Sequence, residues 1–166
     1  MSNFADVQAG ILQLYARCTD AIWRKDAELF GHCFAEQGIW KIATMQMNGR
    51  ADVTATFARL LAACAKVQLI TGIPVLDQDE NGQWFGRIQC TEIARMDDGS
   101  GAITLGVYFD RYVEEQGRWC FALRHFGMHY RGPMELPAEL SGCPDYGPPP
   151  GFPAADEPTY TKRFAS

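Results

Sequence analysis

Residues 106–132, GVYFDRYVEEQGRWCFALRHFGMHYRG, constrain the fold more than any other part of the chain. They predict two long strands joined by a tight turn at residues 116–117. Because side chains alternate along a strand, Tyr108 and Asp110 share one face of the first strand, and Arg124 lies on a mixed apolar face of the second. A charged side chain on the apolar side of a curved sheet is unfavourable unless it is paired. The hairpin is therefore the first place where the sequence indicates a functional site.

The composition is that of an acidic globular chain of 166 residues. A hydrophobic content of 47% and an aromatic content of 12% suit one domain with a real core. The net charge of −5 leaves no basic surface to neutralise phosphates, which argues against a nucleic acid partner. No apolar run is long enough to predict a membrane span, and the N-terminus does not resemble a signal peptide. These features predict a cytoplasmic protein.

Neither a metal nor a cofactor is predicted. The six cysteines are scattered, without a CxxC pair or a nearby pair of histidines, so reduced and buried thiols are expected. No zinc-ligand spacing is present. The chain also lacks the GxGxxG, P-loop and GxSxG motifs.

The first third of the chain has the periodicity of helices. Apolar residues recur at steps of three and four over residues 7–22, which predicts an amphipathic helix. Asp26 is a suitable N-cap for a second helix that includes Phe34 and ends at Gly38. A third helix is expected over residues 51–65.

Strand patterns dominate from about residue 67 onward, after a short predicted strand over residues 39–47. Turn signals at Asn81-Gly82 and at residues 97–99 separate the long strands. The predicted strands cover residues 67–76, 83–96, 102–115 and 118–132. Helices followed by a meander of long antiparallel strands are typical of an α+β fold.

The composition changes after about residue 140. Residues 141–160 hold six of the nine prolines and cannot form a helix or a central strand. We therefore predict one domain over residues 1–140 and an extended tail over residues 141–166. Two interpretations of the tail stay open: a disordered end, or a strap across the domain or a partner subunit.

Two motifs in the predicted order resemble the SnoaL-like branch of the nuclear transport factor 2-like superfamily. They are FAEQGIW at residues 34–40 and GVYFDRY followed by GRW at residues 106–119, within a resemblance that covers residues 5–132. The resemblance implies a cone, in which three N-terminal helices pack into a strongly curved, mixed or antiparallel sheet around a deep apolar pocket. Members include polyketide cyclases, ketosteroid isomerases, scytalone dehydratase and non-catalytic subunits.

The chain departs from this family at the positions that usually carry acid–base chemistry. Many members have a tyrosine on the first helix and an aspartate five residues later, where this chain has Cys18 and Trp23. A strand histidine common in the family is replaced by Gln68. If the protein is an enzyme, other residues carry its chemistry.

Analogy with the cone suggests which strand faces line the pocket. The suggested lining is Cys90, Glu92, Ala94, Gly106, Tyr108, Asp110, Ala122, Arg124 and Met128. Small side chains at Gly106 and Ala122 would leave space for a ligand. Glu92 is the candidate general base or acid, because a dry pocket raises the pKa of a carboxyl group. The alternative for Glu92 is an ion pair with Arg124 across the sheet.

Three hairpin residues have a functional and a structural interpretation. Tyr108 could donate a hydrogen bond to a developing oxyanion, or could be a core tyrosine with a satisfied hydroxyl. Arg124 could stabilise an anion or phenolate, or could pair with Asp110 or Glu92. Asp110 is expected to form a salt bridge with Arg124 or Arg118.

The histidines of the sheet are expected to face away from the pocket. His125 and His129 have the opposite parity to Arg124, and only a β-bulge near Gly127 would turn one of them inward. His125 remains a candidate proton shuttle.

The remaining candidates are substrate-binding residues. Trp23, Trp40, Tyr15 and Met128 could form an aromatic and thioether lining, and Gln68 could orient a substrate oxygen.

These features together predict a cofactor-independent lyase, dehydratase, isomerase or cyclase that acts on a hydrophobic, oxygenated and aromatic small molecule. The alternatives are a non-catalytic ligand-binding protein and a structural subunit of a ring-hydroxylating dioxygenase. A homodimer or higher homo-oligomer is expected from the family. The apolar outer face of the sheet, which would form the interface, would carry Phe109, Trp119, Phe121 and Leu123.

Overall fold

The computed structural model describes residues 3–135 of the chain. The helices are Phe4–Arg24 (α1), Ala27–Gly31 (α2) and Arg50–Leu61 (α3). The strands are Phe34–Ile42 (β1), Met45–Asn48 (β2), Cys64–Thr71 (β3), Val75–Gln78 (β4), Trp84–Met96 (β5), Gly101–Glu115 (β6) and Arg118–Pro133 (β7). No helix within residues 3–135 is long and apolar enough to cross a membrane. The predicted domain boundary at residue 140 and the tail over residues 141–166 lie outside the described residues.

The strands form one mixed sheet in the order β2-β1-β7-β6-β5-β3, with β4 paired to β5. Strands β1 and β7 run parallel, and the other neighbours are antiparallel. The curved sheet and the three helices enclose the core, as in the predicted α+β cone, so the prediction of the fold is confirmed.

Helix α1 forms where the periodicity predicts it. The side chain of Asn3 accepts a hydrogen bond from the Asp6 N–H (3.1 Å) and caps the first turn. Lys25 ends the helix in the left-handed conformation, with φ of 58°. The buried face is the predicted one, with Val7, Ile11, Leu14, Cys18 and Ile22 among its members.

Helix α2 is shorter than the sequence suggests. Asp26 caps it as expected, but the helix ends at Gly31, and Phe34 is already the first residue of β1. Phe34 pairs with Phe121 of β7 and is fully buried, so a contact distant in sequence overrides the local pattern. Gly38 lies in an irregular stretch of the β1–β7 pairing, where an added Cβ would be 2.7 Å from the Phe121 carbonyl oxygen. The prediction that Gly38 ends a helix is therefore wrong. Likewise the third helix ends at Leu61 rather than at residue 65, because β3 already begins at Cys64.

The β6–β7 hairpin has the predicted turn and two β-bulges. Gln116 and Gly117 both have positive φ (52° and 73°), which matches the twist of the flanking strands. The pairing with β6 skips Ala122 and His129 of β7. Each skipped residue reverses the alternation of side chains along β7, and this decides which residues reach the interior.

Candidate active site

A cavity of about 630 Å³ lies between the sheet and the helices. This volume is in the usual range for a small-molecule site. Aromatic side chains form much of its wall: Phe30 and Phe57 stack at 3.9 Å between ring centroids, and the Trp40 ring meets Phe30 edge-on at 5.1 Å. The polar side chains that line it are few, namely Glu92, Thr104, Tyr108 and Arg131, with the thiols of Cys64 and Cys90.

Glu92 opens onto this cavity between apolar walls. Although 36% of its side chain is exposed, burial raises the pKa of the carboxyl group, and the nearby Arg131 guanidinium partly opposes that rise. Arg131 Nη1 lies 3.6 Å from Glu92 Oε1 and donates a hydrogen bond to Thr104 Oγ1 at 2.7 Å. The carboxylate therefore stands at a polar corner of an otherwise apolar chamber.

Arg131 is the cation beside Glu92, and it is not one of the predicted site residues. If side chains alternated regularly along β7, Arg131 would face outward like His125 and His129. The bulge at His129 instead turns Arg131 inward, opposite Thr104. The alternative ion pair of Glu92 with Arg124 is not formed, because Arg131 is the partner of Glu92 and Asp110 is the partner of Arg124. No local sequence signal marks this bulge.

Tyr108 lines another part of the cavity. Its hydroxyl has no hydrogen-bond partner among residues 3–135. Burial raises the pKa of the hydroxyl, and Arg124 opposes this. Glu92 pairs with Thr104, so Tyr108 lies four residues, or about 13 Å, farther along β6. One elongated ligand would be needed to contact both groups.

Four residues form a buried polar cluster, namely Tyr15, Asp110, Tyr112 and Arg124, none of which lines the cavity. The predicted places of Asp110 and Arg124 in the pocket lining are therefore wrong, because their side chains are buried against each other beneath the cavity wall. Arg124 Nη1 lies 3.4 Å from Asp110 Oδ2, so the expected pair of these residues is present. Tyr15 donates to the same oxygen at 2.6 Å, and its hydroxyl lies 2.6 Å from that of Tyr112. Burial raises the pKa of Asp110 to about 6, with Arg124 and then the Tyr15 hydrogen bond opposing. Among residues 3–135, Asp110 Oδ1 and Arg124 Nη2 have no hydrogen-bond partner.

His125 and His129 lie outside the cavity. His125 is exposed on the outer face, opposite Phe109, as its parity predicts. A bulge does occur, but at His129 rather than near Gly127, and it brings in Arg131 instead of a histidine. The geometry gives His125 no access to a ligand in the cavity, so the predicted proton shuttle at His125 is wrong.

The predicted binding residues divide into two groups. Trp40 and Met128 line the cavity, as expected. Tyr15 belongs to the buried polar cluster instead. Trp23 lies outside the cavity lining, where its Nε1 donates to the Asp20 carboxylate at 3.1 Å. Gln68 is exposed on the opposite face of β3 from the cavity-lining Val67 and Leu69, so its predicted contact with substrate is wrong.

The cavity is not made by the small residues that the sequence suggested. The ring of Phe126 occupies the space above Gly106, where an added Cβ would collide with it. Ala122 is a bulge residue, and its neighbour Phe121 takes the inward place in the core. Phe121 is therefore not part of the outer face, and neither is Trp119, whose ring packs against the core beside Gly10 of α1. The small residues that do bound the cavity are Ala43, Cys64, Cys90, Ala94 and Thr104.

The described chain offers no metal site. No group of three or more histidine, cysteine, aspartate or glutamate side chains within residues 3–135 could hold an ion. The five cysteines in this range are free thiols, and burial raises the pKa of Cys90 in the cavity wall to about 11.

Comparison with known proteins places the chain in a family. The sequence model of the SnoaL-like domain matches residues 5–125. Among solved structures, the chain is similar to the hexachlorocyclohexane dehydrochlorinase LinA type 2 (15% identity, 88% of this chain and 95% of that chain, TM-score 0.72). It is also similar to a protein provisionally named scytalone dehydratase from Novosphingobium aromaticivorans (17% identity, 80% and 90%, TM-score 0.71) and to ActVI-ORFA from Streptomyces coelicolor (17% identity, 74% and 96%, TM-score 0.59). No curated protein sequence matches the chain. At these identities the structures share the fold, and the match over residues 5–125 shows that the chain belongs to the SnoaL-like domain family.

Proposed function

We propose that the protein is a cofactor-independent enzyme of the lyase or isomerase type, acting by acid–base chemistry on a hydrophobic, oxygenated, aromatic small molecule. The observation that carries this proposal is the placement of Glu92, a carboxyl group of raised pKa, in the wall of a largely apolar cavity of about 630 Å³. Two proteins of the same fold are named for eliminations, as a dehydrochlorinase and a dehydratase, which supports the lyase class.

The proposed reaction divides its work between two groups. Ionised Glu92 removes a proton from a substrate carbon, and the electron pair of the broken C–H bond is delocalised through a conjugated aromatic system to a substrate oxygen at the other end of the elongated ligand. Tyr108 donates a hydrogen bond to that oxygen as negative charge develops on it. The electron pair then expels a leaving group in an elimination, or takes the proton back at another carbon in an isomerisation. The apolar walls exclude water, so that these interactions with the developing charge are stronger than in solution.

A substrate screen tests the proposal. The purified protein is incubated with a panel of aromatic alcohols, diols and hydroxyketones, and the products are followed by mass spectrometry. Loss of water, or an isomer of unchanged mass, is the expected result. If no compound is bound or converted, the proposal is contradicted.

A non-catalytic ligand-binding protein is the second candidate. The Glu92–Arg131 ion pair favours it, because the pair gives the carboxylate a structural partner. Compounds that bind in the cavity and are recovered unchanged would support this alternative. A dioxygenase subunit is less favoured, because the interior of the cone is an open cavity rather than packed side chains.

Replacing Arg131 should move the pH profile of the reaction. Because the Arg131 charge lowers the pKa of Glu92, Arg131→Gln should raise that pKa, so a higher pH is needed to ionise the base. The acid limb of kcat/KM against pH should shift to higher pH. Arg87→Gln, at an exposed position of β5, is the control and should leave the profile unchanged. An unshifted acid limb in Arg131→Gln would count against Glu92 as the base.

We also propose that the outer face of the sheet pairs with a second copy of the chain. Phe109 is 50% exposed on this face, and Leu105 and Tyr130, which pair across β6 and β7, are 38% and 48% exposed. Exposed apolar patches of this kind mark interfaces. Sedimentation equilibrium should give twice the chain mass of 18.5 kDa, and Phe109→Glu should give the monomer. A monomeric wild-type protein would contradict the proposal.

A further inference from the structure

A buried cation lies directly beneath the tyrosine of the cavity. The guanidinium carbon of Arg124 is 3.7 Å from the ring centroid of Tyr108, well inside the range of a cation–π contact. It also lies 4.3 Å from the ring centroid of Phe121 and 5.4 Å from that of Tyr15. Only 1% of Arg124 is exposed, so water does not screen its charge.

The buried polar cluster fixes this cation in place. Asp110 and Arg124 are direct partners across β6 and β7, and their ion pair holds one edge of the guanidinium. Asp110 is in turn held by the hydroxyl of Tyr15, which contacts that of Tyr112. The guanidinium is therefore set against the Tyr108 ring by a chain of contacts from α1, β6 and β7.

The Tyr108 hydroxyl is the group through which this charge can reach the cavity. Tyr108 lines the cavity, and Arg124 does not. Among residues 3–135 the hydroxyl has no hydrogen-bond partner, so a ligand oxygen can accept its proton. A positive charge held near the ring stabilises negative charge on the phenol oxygen, which makes the O–H a stronger donor.

We propose that Arg124 is a positioning residue that acts through Tyr108: it polarises the hydroxyl and so tunes the cavity for ligands that carry a phenolate-like or enolate-like oxygen. The inference rests on the proposed function, in which Tyr108 contacts the substrate oxygen. Arg124 contacts no ligand in this scheme. In agreement with this geometry, burial raises the pKa of the Tyr108 hydroxyl, and the charge of Arg124 offsets part of that rise.

The pKa of bound 4-nitrophenol tests this inference, because the absorbance of the probe reports its phenolate form. Arg124→Met should raise the pKa of the bound probe by about one unit, a roughly tenfold weaker preference for phenolate over phenol. Arg124→Lys should give an intermediate value, since it keeps the charge without the planar guanidinium. If Arg124→Met does not fold, Asp110→Asn/Arg124→Met removes both buried charges together and serves in its place.

The discriminating measurement is the pKa of the bound probe when Arg124→Met is made in a Tyr108→Phe background. If Arg124 acts through the Tyr108 hydroxyl, its replacement should no longer change the pKa of the bound probe once the hydroxyl is gone. An equal change in both backgrounds, or none in a folded Arg124 variant of the otherwise wild-type chain, would overturn the inference while leaving the proposed function intact. Two other results would instead overturn the proposed contact between Tyr108 and substrate. One is that the wild-type protein does not bind the probe, and the other is that Tyr108→Phe alone leaves the pKa of the bound probe unchanged.

Discussion

Glu92→Gln should reduce turnover by about 10²- to 10⁴-fold, the usual contribution of a general base, while the fold and the cavity are retained. Glutamine has nearly the same shape as glutamate but cannot take up the proton. The raised pKa of Glu92 also sets the sign of the effect on stability. A carboxyl group whose pKa is raised on folding contributes stability at low pH and loses it as the pH rises through the folded pKa. At neutral pH the variant should therefore be at least as stable as the wild-type protein.

The comparison of kcat/KM with thermal unfolding separates chemistry from folding in this variant. Arg131, left without its partner, is 49% exposed and can be solvated, so little stability is lost on its account. Glu114→Gln, at an exposed position of β6, is the matched control and should keep full activity. The proposed mechanism fails if Glu92→Gln turns over as fast as the wild-type protein.

The parts of the fold that follow from local patterns are predictable from the sequence. Helix α1 has both an amphipathic period and a capping residue, and the β6–β7 turn contains Gly117, which adopts positive φ without steric cost. The end of α2 is not predictable in this way. Phe34 has the spacing of a helical core residue, and only its pairing with Phe121, far along the chain, places it in a strand.

The candidate site is likewise predictable only where it follows from local patterns. Glu92 lies on β5 and Tyr108 on β6, and these two strands pair without a bulge, so their side chains alternate regularly between the two faces of the sheet. The predicted position of both residues in the cavity wall therefore agrees with the structure. Arg131 could not be found from parity, because the bulge at His129 depends on how β7 pairs with β6. Gln68 was suggested by a family position rather than by its own strand, where its neighbours Val67 and Leu69 occupy the inner face.

Arg124→Met should lower the free energy of unfolding by about 3–5 kcal/mol at neutral pH, because it leaves the Asp110 carboxylate buried without its cation. The loss should depend on pH in a defined direction. Burial already raises the pKa of Asp110 to about 6 from 3.8, so ionisation of Asp110 removes stability as the pH rises through this window. Without Arg124 the pKa of Asp110 rises further, so the loss of stability that accompanies its ionisation extends to higher pH. Below pH 3.8 Asp110 is neutral, and the variant should lie closer to the wild-type protein.

Urea unfolding at neutral and at acidic pH measures this difference, and two further variants identify its cause. Asp110→Asn/Arg124→Met should recover much of the loss, since neither charge is then left buried alone. Arg111→Met is the matched control on the neighbouring strand: its ion pair with Asp79 is at the surface, so removal should change the free energy of unfolding by at most about 1 kcal/mol. If Arg124→Met were no worse than Arg111→Met, the buried pair would not stabilise the fold. A loss unchanged in the double variant and independent of pH would instead point to lost packing of the arginine against Tyr108 and Phe121, with the ion pair making no net contribution.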